Sequence, residues 1–192
     1  VQYGKGFVYW RCQIFRMDQT GPNDVPAWKY VGVLHEYPKC SKVNPSISYL
    51  KGSYYLESRR KGARNKVVDK YKKDAVVFEE AIEKEGGNPR YTFYLAQSYF
   101  DAGMFEKSME NYQKRVQQGG WIEEVYYSQY RIAVCLSRLK RGFPAVINEF
   151  IKATKIHPGR AEPFYEVARI FRLNKMYQLA YEYGKLGLGL PY

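Results

Sequence analysis

The chain has 192 residues, 45% of them hydrophobic and 17% aromatic, with 20 tyrosines and a net charge of +12; this composition excludes a disordered chain and leaves room for one large or two small cored domains. No apolar run approaches the roughly 18 residues of a membrane span, and nothing at the start has the pattern of a signal peptide. Residues 1–66 hold 12 Lys/Arg against 4 Asp/Glu while residues 67–192 hold 19 against 15, so the field of the first third favours an anionic partner without naming one. Cys12, Cys40 and Cys135 are odd in number and form no C-x-x-C pair, which reads as reduced thiols in a cytoplasmic protein. Val1 opens directly into strand-like sequence, and the expectation is a piece of a longer protein.

Phe7 to Phe15 is rich in aromatic and β-branched residues without a helical stripe and predicts a strand. A turn-rich loop around Gly21-Pro22-Asn23-Asp24 follows, and Trp28 to His35 predicts a second strand. Pro38 and Pro45 bracket a predicted loop, and Gly52 to Glu57 a third strand. Near Asp69 the period changes. Tyr71, Ala75, Phe78, Ala81 and Ile82 recur at three- and four-residue steps, predicting an amphipathic helix that stops at Gly86-Gly87-Asn88-Pro89.

Beyond that stop, Leu95-Ala96-x-x-Tyr99 with Gly103, Phe105, Ser108 and Tyr112 resembles the tetratricopeptide pattern: a small residue where paired helices touch, an aromatic three on, a glycine turn and a second helix. The small slot recurs at Ala133 and Ala168, intervals of 37 and 35 residues against a family period of about 34. Phe150, Ala153 and Pro158 complete a second unit, and Phe164, Val167, Phe171 and Ala180 a third. The expected fold class is mostly α: a tetratricopeptide-like helical-hairpin superhelix over residues 67–192, with a small N-terminal β segment and connector over 1–66. Tyr94, Gln97, Tyr127, Tyr130 and Arg131 are the expected lining of a repeat groove that holds a protein or peptide.

Self-contained catalytic signatures are absent: no phosphate loop, no dinucleotide fingerprint, no H-E-x-x-H and no nucleophile elbow. Two histidines cannot build a metal site of several imidazoles. His157, before Pro158 at a predicted helix end, has a structural reading. His35 differs, because Glu36-Tyr37-Pro38 follows it in a turn where side chains can project; it is either functional or a buried strand-end histidine.

Trp28-x-Tyr30-x-Gly32-Val33-Leu34-His35-Glu36-Tyr37, preceded by Tyr9-Trp10-Arg11-x-x-x-Phe15-Arg16, resembles the end of the catalytic module of family 2 glycosyltransferases, the GT-A type. Gly52-x-Tyr54, Gly62-Ala63-Arg64, Lys70-Tyr71-x-x-Asp74, the run Arg90 to Tyr99 and Gly119-Gly120-Trp121-x-Glu123-Glu124-x-x-Tyr127-Ser128 resemble the connector and repeats of members with carboxyl-terminal helical repeats. The resemblance spans essentially the whole chain. It implies the C-terminal portion of an enzyme that transfers a sugar from a nucleotide-sugar donor to an unknown acceptor, with the repeats serving acceptor or partner binding.

The resemblance further implies a divalent metal, Mn²⁺ or Mg²⁺, bridging the donor diphosphate in the parent enzyme, with His35 as metal ligand or diphosphate donor. A metal and preorganised donors stabilise a departing diphosphate as its charge grows. The sequence departs from the family in having no Asp-x-Asp and no upstream nucleotide-binding half, so this piece alone is expected to be inactive and to bind no metal. Glu36 and the rings of Trp28, Tyr30 and Tyr37 are candidate donor or acceptor contacts, the rings being equally suited to core packing. Arg59, Arg60 and Arg64 form either an anion clamp or a solvated connector. Nucleic acid is disfavoured, because the near-neutral repeats offer no continuous phosphate track.

Overall fold

A computed structural model describes residues 2–3, 9–10, 14–15, 20, 23, 26–42, 44–52 and 67–190. The chain divides into two compact units, Val1–Lys70 and Tyr71–Tyr192.

In the first unit, β1 (Gln2–Tyr3) pairs antiparallel with β2 (Tyr9–Trp10), and β3 (Trp28–Val31) with β4 (Tyr37–Cys40). Two expectations change here. The second strand ends at Val31 rather than at His35, because Gly32 takes φ +117° and residues 32–35 form a bend. The stretch from Pro38, expected as loop, instead supplies β4. Pro38 lies opposite Tyr30, a place it can hold because strands with an open edge leave half of their backbone positions free of any need to donate. Phe15 lies 5.2 Å from Trp28 and meets Tyr30 edge-on at 5.9 Å. Of the predicted third strand only Gly52 is described, in a bend, and residues 53–57 lie outside the described residues.

The second unit is helical: α1 (Lys70–Glu85), α2 (Pro89–Asp101), α3 (Phe105–Gln118), α4 (Ile122–Arg138), α5 (Phe143–Ile156), α6 (Glu162–Leu173) and α7 (Tyr177–Leu188). The stripe predicted for α1 buries Ala75, Phe78 and Ala81, and left-handed Gly86 and Gly87 end that helix. Asn88 then opens α2, its Oδ1 accepting from the Arg90 amide at 3.0 Å with Pro89 at the first helical position.

The repeat is geometric as well as sequential. Helices α2, α4 and α6 each end in the same turn: the amide of Met104 donates to Tyr99, that of Arg141 to Leu136 and that of Met176 to Phe171, all at 2.9 Å. These bonds close the orphan carbonyls of each helix and require a left-handed residue just before them. That residue is Gly103 in the first unit but Lys140 (φ 54°) and Lys175 (φ 59°) in the others. Each turn folds its helix back on the next, giving the hairpins α2–α3, α4–α5 and α6–α7. The architecture is a tetratricopeptide-like stack.

Most small residues of the pattern are sealed between helices, although Ala168, the slot of the third unit, is only half-buried. Ala96, Ala133 and Ala153 are fully buried, and Ser108 Oγ donates to the Ala96 carbonyl at 2.8 Å, because only small side chains let helix backbones approach so closely. Phe93, Ala96, Tyr112, Ile132 and Cys135 form one core between α2, α3 and α4. A second core joins α4 to α6, with Phe150 and Val167 at its centre. Burying a side chain such as Phe150 is worth about 1.5–3 kcal/mol.

Candidate functional site

Helices α2 and α4 present one aromatic face. Tyr94 sits beside Phe93 at 5.3 Å, Phe93 reaches the Tyr127 ring at 6.0 Å, and Tyr127 stacks with Tyr130 at 6.2 Å and 21°. Tyr127 and Tyr130, three residues apart, share one side of α4, from which Tyr127 meets Phe93, itself followed directly by Tyr94 on α2. The Arg131 guanidinium lies 3.5 Å from the Phe100 ring centre and 5.7 Å from that of Tyr127. Arg90 lies 4.9 Å from the Tyr94 ring centre and donates to the Tyr94 hydroxyl at 3.2 Å.

The structure therefore brings together four of the five expected lining residues: Tyr94, Tyr127, Tyr130 and Arg131. Gln97 is half-buried, three residues beyond Tyr94 on α2. Tyr127 keeps 37% of its surface exposed. Burial shifts these phenols: the Tyr94 hydroxyl is raised above its ordinary range, and that of Tyr130 is pushed up to about 12, with the nearby Glu166 adding to the effect. At neutral pH both rings stay uncharged and available as hydrogen-bond donors.

A charged network beneath this face holds the joint between α3 and α4. Arg115, 2% exposed, donates from Nε and Nη2 to Glu124 Oε2, each at 3.1 Å, and from Nη1 to the Gly119 carbonyl at 2.6 Å. Arg90 Nη1 reaches the other Glu124 oxygen at 3.5 Å. Gly119 adopts φ 63°, ψ −151°, a region open essentially to glycine. Trp121 follows with 62% of its surface exposed. Sequence reading named Glu123 and Glu124 only inside a longer motif. It missed Arg115 and Phe100, although Phe100 repeats Phe93 one heptad on.

The His157 side chain has a structural place. Its Nε2 lies 3.1 Å from Glu123 Oε1, and its ring meets Tyr126 at 5.6 Å. Arg160 Nη2 also pairs with Glu123 at 2.5 Å. The Arg160 hydrogen bond, with His157 adding to it, holds the Glu123 carboxyl below its usual range.

The N-terminal candidates are more scattered. His35 is exposed in the bend between β3 and β4 with φ 52°, and Glu36 and Tyr37 follow it, also exposed. The buried strand-end reading of His35 is thereby corrected: the strand stops four residues earlier, and the ring stands at the surface. Trp28 is half-buried against Phe15, whereas Tyr30 leaves 54% of its surface open. Arg59, Arg60 and Arg64 lie outside the described residues. Among the described residues, no three His, Cys, Asp or Glu side chains converge to hold a metal ion. Cys40 and Cys135 are free thiols, and no described helix is long and apolar enough to cross a membrane.

No protein-family model matches the sequence, and no curated protein matches it. Solved structures similar to it include two of MamA. The one described as MamA MSR-1 C2 is 15% identical and is covered over 84% of its length by 61% of this chain, with a TM-score of 0.32. The other is 11% identical, with 87% of it and 62% of this chain covered, at 0.33. YrrB, described as a TPR protein with an unusual peptide-binding site, is 11% identical over 62% of this chain and 77% of its own, with a TM-score of 0.32.

Proposed function

We propose that the repeat unit is a non-catalytic protein-binding module that takes an extended peptide segment of a partner across the α2/α4 face. The observation that carries this reading is the run of partly exposed Tyr94, Tyr127 and Tyr130, joined through the buried Phe93 and flanked by Arg131. Tyrosine and arginine dominate binding hot spots because they bury large area at small entropic cost while keeping a polar end. Buried packing on the inner side of the face makes it rigid, so a ligand does not have to order it.

Screening the full chain against an array of random linear peptides tests this. Tyr127→Ala is expected to weaken bound peptides by about tenfold or more, a hot-spot effect, with the melting temperature little changed. Undiminished binding by that variant would remove this face from the reading.

A second reading, that the chain is the C-terminal portion of a nucleotide-sugar-dependent glycosyltransferase, is supported by the motif resemblance and by the exposure of His35 and Glu36 at one bend. In that reading the parent enzyme supplies the donor and acceptor sites and Mn²⁺ or Mg²⁺ neutralises the diphosphate. His35 would offer one imidazole nitrogen, Glu36, Tyr30 and Tyr37 surface contacts, and Arg59, Arg60 and Arg64 positive charge toward phosphates. The compartment proposed for either reading is the cytoplasm, in keeping with the free thiols. A transfer and donor-hydrolysis assay of a parent protein with His35→Ala separates the two: unchanged turnover takes His35 out of the site.

A further inference from the structure

The second helix of each hairpin repeats one seating pattern, and the third hairpin breaks it. Met104, Gly142 and Met176 cap α3, α5 and α7. Eight residues on from the cap stand Tyr112 in α3 and Phe150 in α5, rings only 0% and 2% exposed. In α7 the same position is Gly184. A Cβ added there would meet nothing within 4 Å. The open space is a groove of about 370 Å³ lined in part by Tyr165 and Ala168 of α6 and by Gly184, Gly187 and Leu188 of α7.

Rings that could fill such a seat stand beside it. Tyr177, Tyr181, Gly184 and Leu188 are spaced four, three and four residues apart, so they run along one side of α7. Tyr177, Tyr181 and Leu188 keep 65%, 63% and 84% of their surface exposed, the mark of an interaction surface when such side chains are contiguous. The stripe reads the same from either end. Its midpoint, between Glu182 and Tyr183, is equidistant from Tyr181 and Gly184 and again from Tyr177 and Leu188. A two-fold axis at that point lays a second α7 antiparallel on the first. Each Tyr181 ring then meets the partner's Gly184, and each Tyr177 the partner's Leu188. Such self-complementarity is what an isologous interface requires. A foreign helix or a small apolar molecule would fill the seat, but neither gives a reason for ring and seat to share one symmetric stripe. Tyrosines bury about 150–250 Å² each. Tyr165, Tyr177, Tyr181 and Leu188, taken from both copies, thus bring the pair near the lower bound of about 1,200 Å² for specific association.

We infer that α7 and the groove beside it form a self-association surface that pairs two copies of this chain about a two-fold axis, Tyr181 of each entering the seat left open at Gly184 of the other. This surface on α6 and α7 is separate from the α2/α4 face and does not depend on what that face binds.

An interface of this size gives weak association, so sedimentation velocity of the full chain from about 1 to 200 µM is expected to show the mass rising from one chain to two. Gly184→Phe supplies within the chain the ring that α3 and α5 carry, and it is expected to weaken pairing about tenfold or more while the dilute protein melts no earlier. Tyr181→Glu, at an exposed position, is expected to weaken pairing at least as much, because it would bury an unpaired charge. It decides the matter should Gly184→Phe fail to fold. A monomer at every concentration overturns the inference and leaves the groove to a different occupant. A dimer that either folded variant leaves unweakened overturns it too, as does growth beyond two copies, which a closed two-fold pair forbids.

Discussion

At the scale of single residues, the deepest commitment in the chain is Arg115. A guanidinium 2% exposed is tolerable only because Glu124 and the Gly119 carbonyl take up its donors, and breaking such a pair from one side is far worse than lacking it altogether. Glu124→Ala is therefore expected to destabilise the protein by about 3–5 kcal/mol, measured by chemical denaturation. Arg115→Met combined with Glu124→Leu should cost clearly less than the two single changes added together. Equal and additive losses would mean that the pair is not coupled. This network was not legible beforehand. Arg115 and Glu124 stand nine residues apart across a turn, and nothing in their spacing distinguishes a buried ion pair from two solvated charges on separate helices. The rings were easier to find, since Tyr94 lies within one turn of Ala96, and Tyr127 and Tyr130 within two turns of Ala133, the small residues that mark where helices touch.

Individual elements show why the repeat looked irregular in sequence while its geometry is regular. The turn that closes α2 uses Gly103, and the equivalent turns use Lys140 and Lys175 in the same left-handed conformation. A lysine there carries a strain of about 1–2 kcal/mol that glycine avoids, partly offset by the greater freedom glycine loses on folding. Lys140→Gly is expected to stabilise by about 0.5–1 kcal/mol, raising the denaturation midpoint without changing the slope. A lower midpoint would show that the lysine side chain contributes more than its backbone costs. The helices themselves were readable because α1 and the three hairpins follow an apolar period that tertiary packing reinforces. The strands were readable only in part: β2 and the start of β3 lie where strands were expected, but β4 is four residues long, too short for alternation to outweigh a proline. The bend that moved His35 out of its predicted strand follows from a single glycine, Gly32.

At the scale of the whole molecule, each of the helices from α2 onward packs mainly on its sequence neighbours, with a lesser contact between α2 and α4. Stability in such a stack is close to a sum of local terms, so protection from hydrogen exchange should grade along it. The amides of α4, which lends side chains to both cores, should exchange slowest. Those of α7, which has no fully buried residue, should exchange fastest among the repeat helices. Uniform protection would mean that the stack opens only as one body. The same neighbour-to-neighbour bonding governs how the protein yields to tension: drawn out from its two ends, the repeat unit pays out like a spring, shedding its last coil before the middle ones and regaining them in reverse order when released.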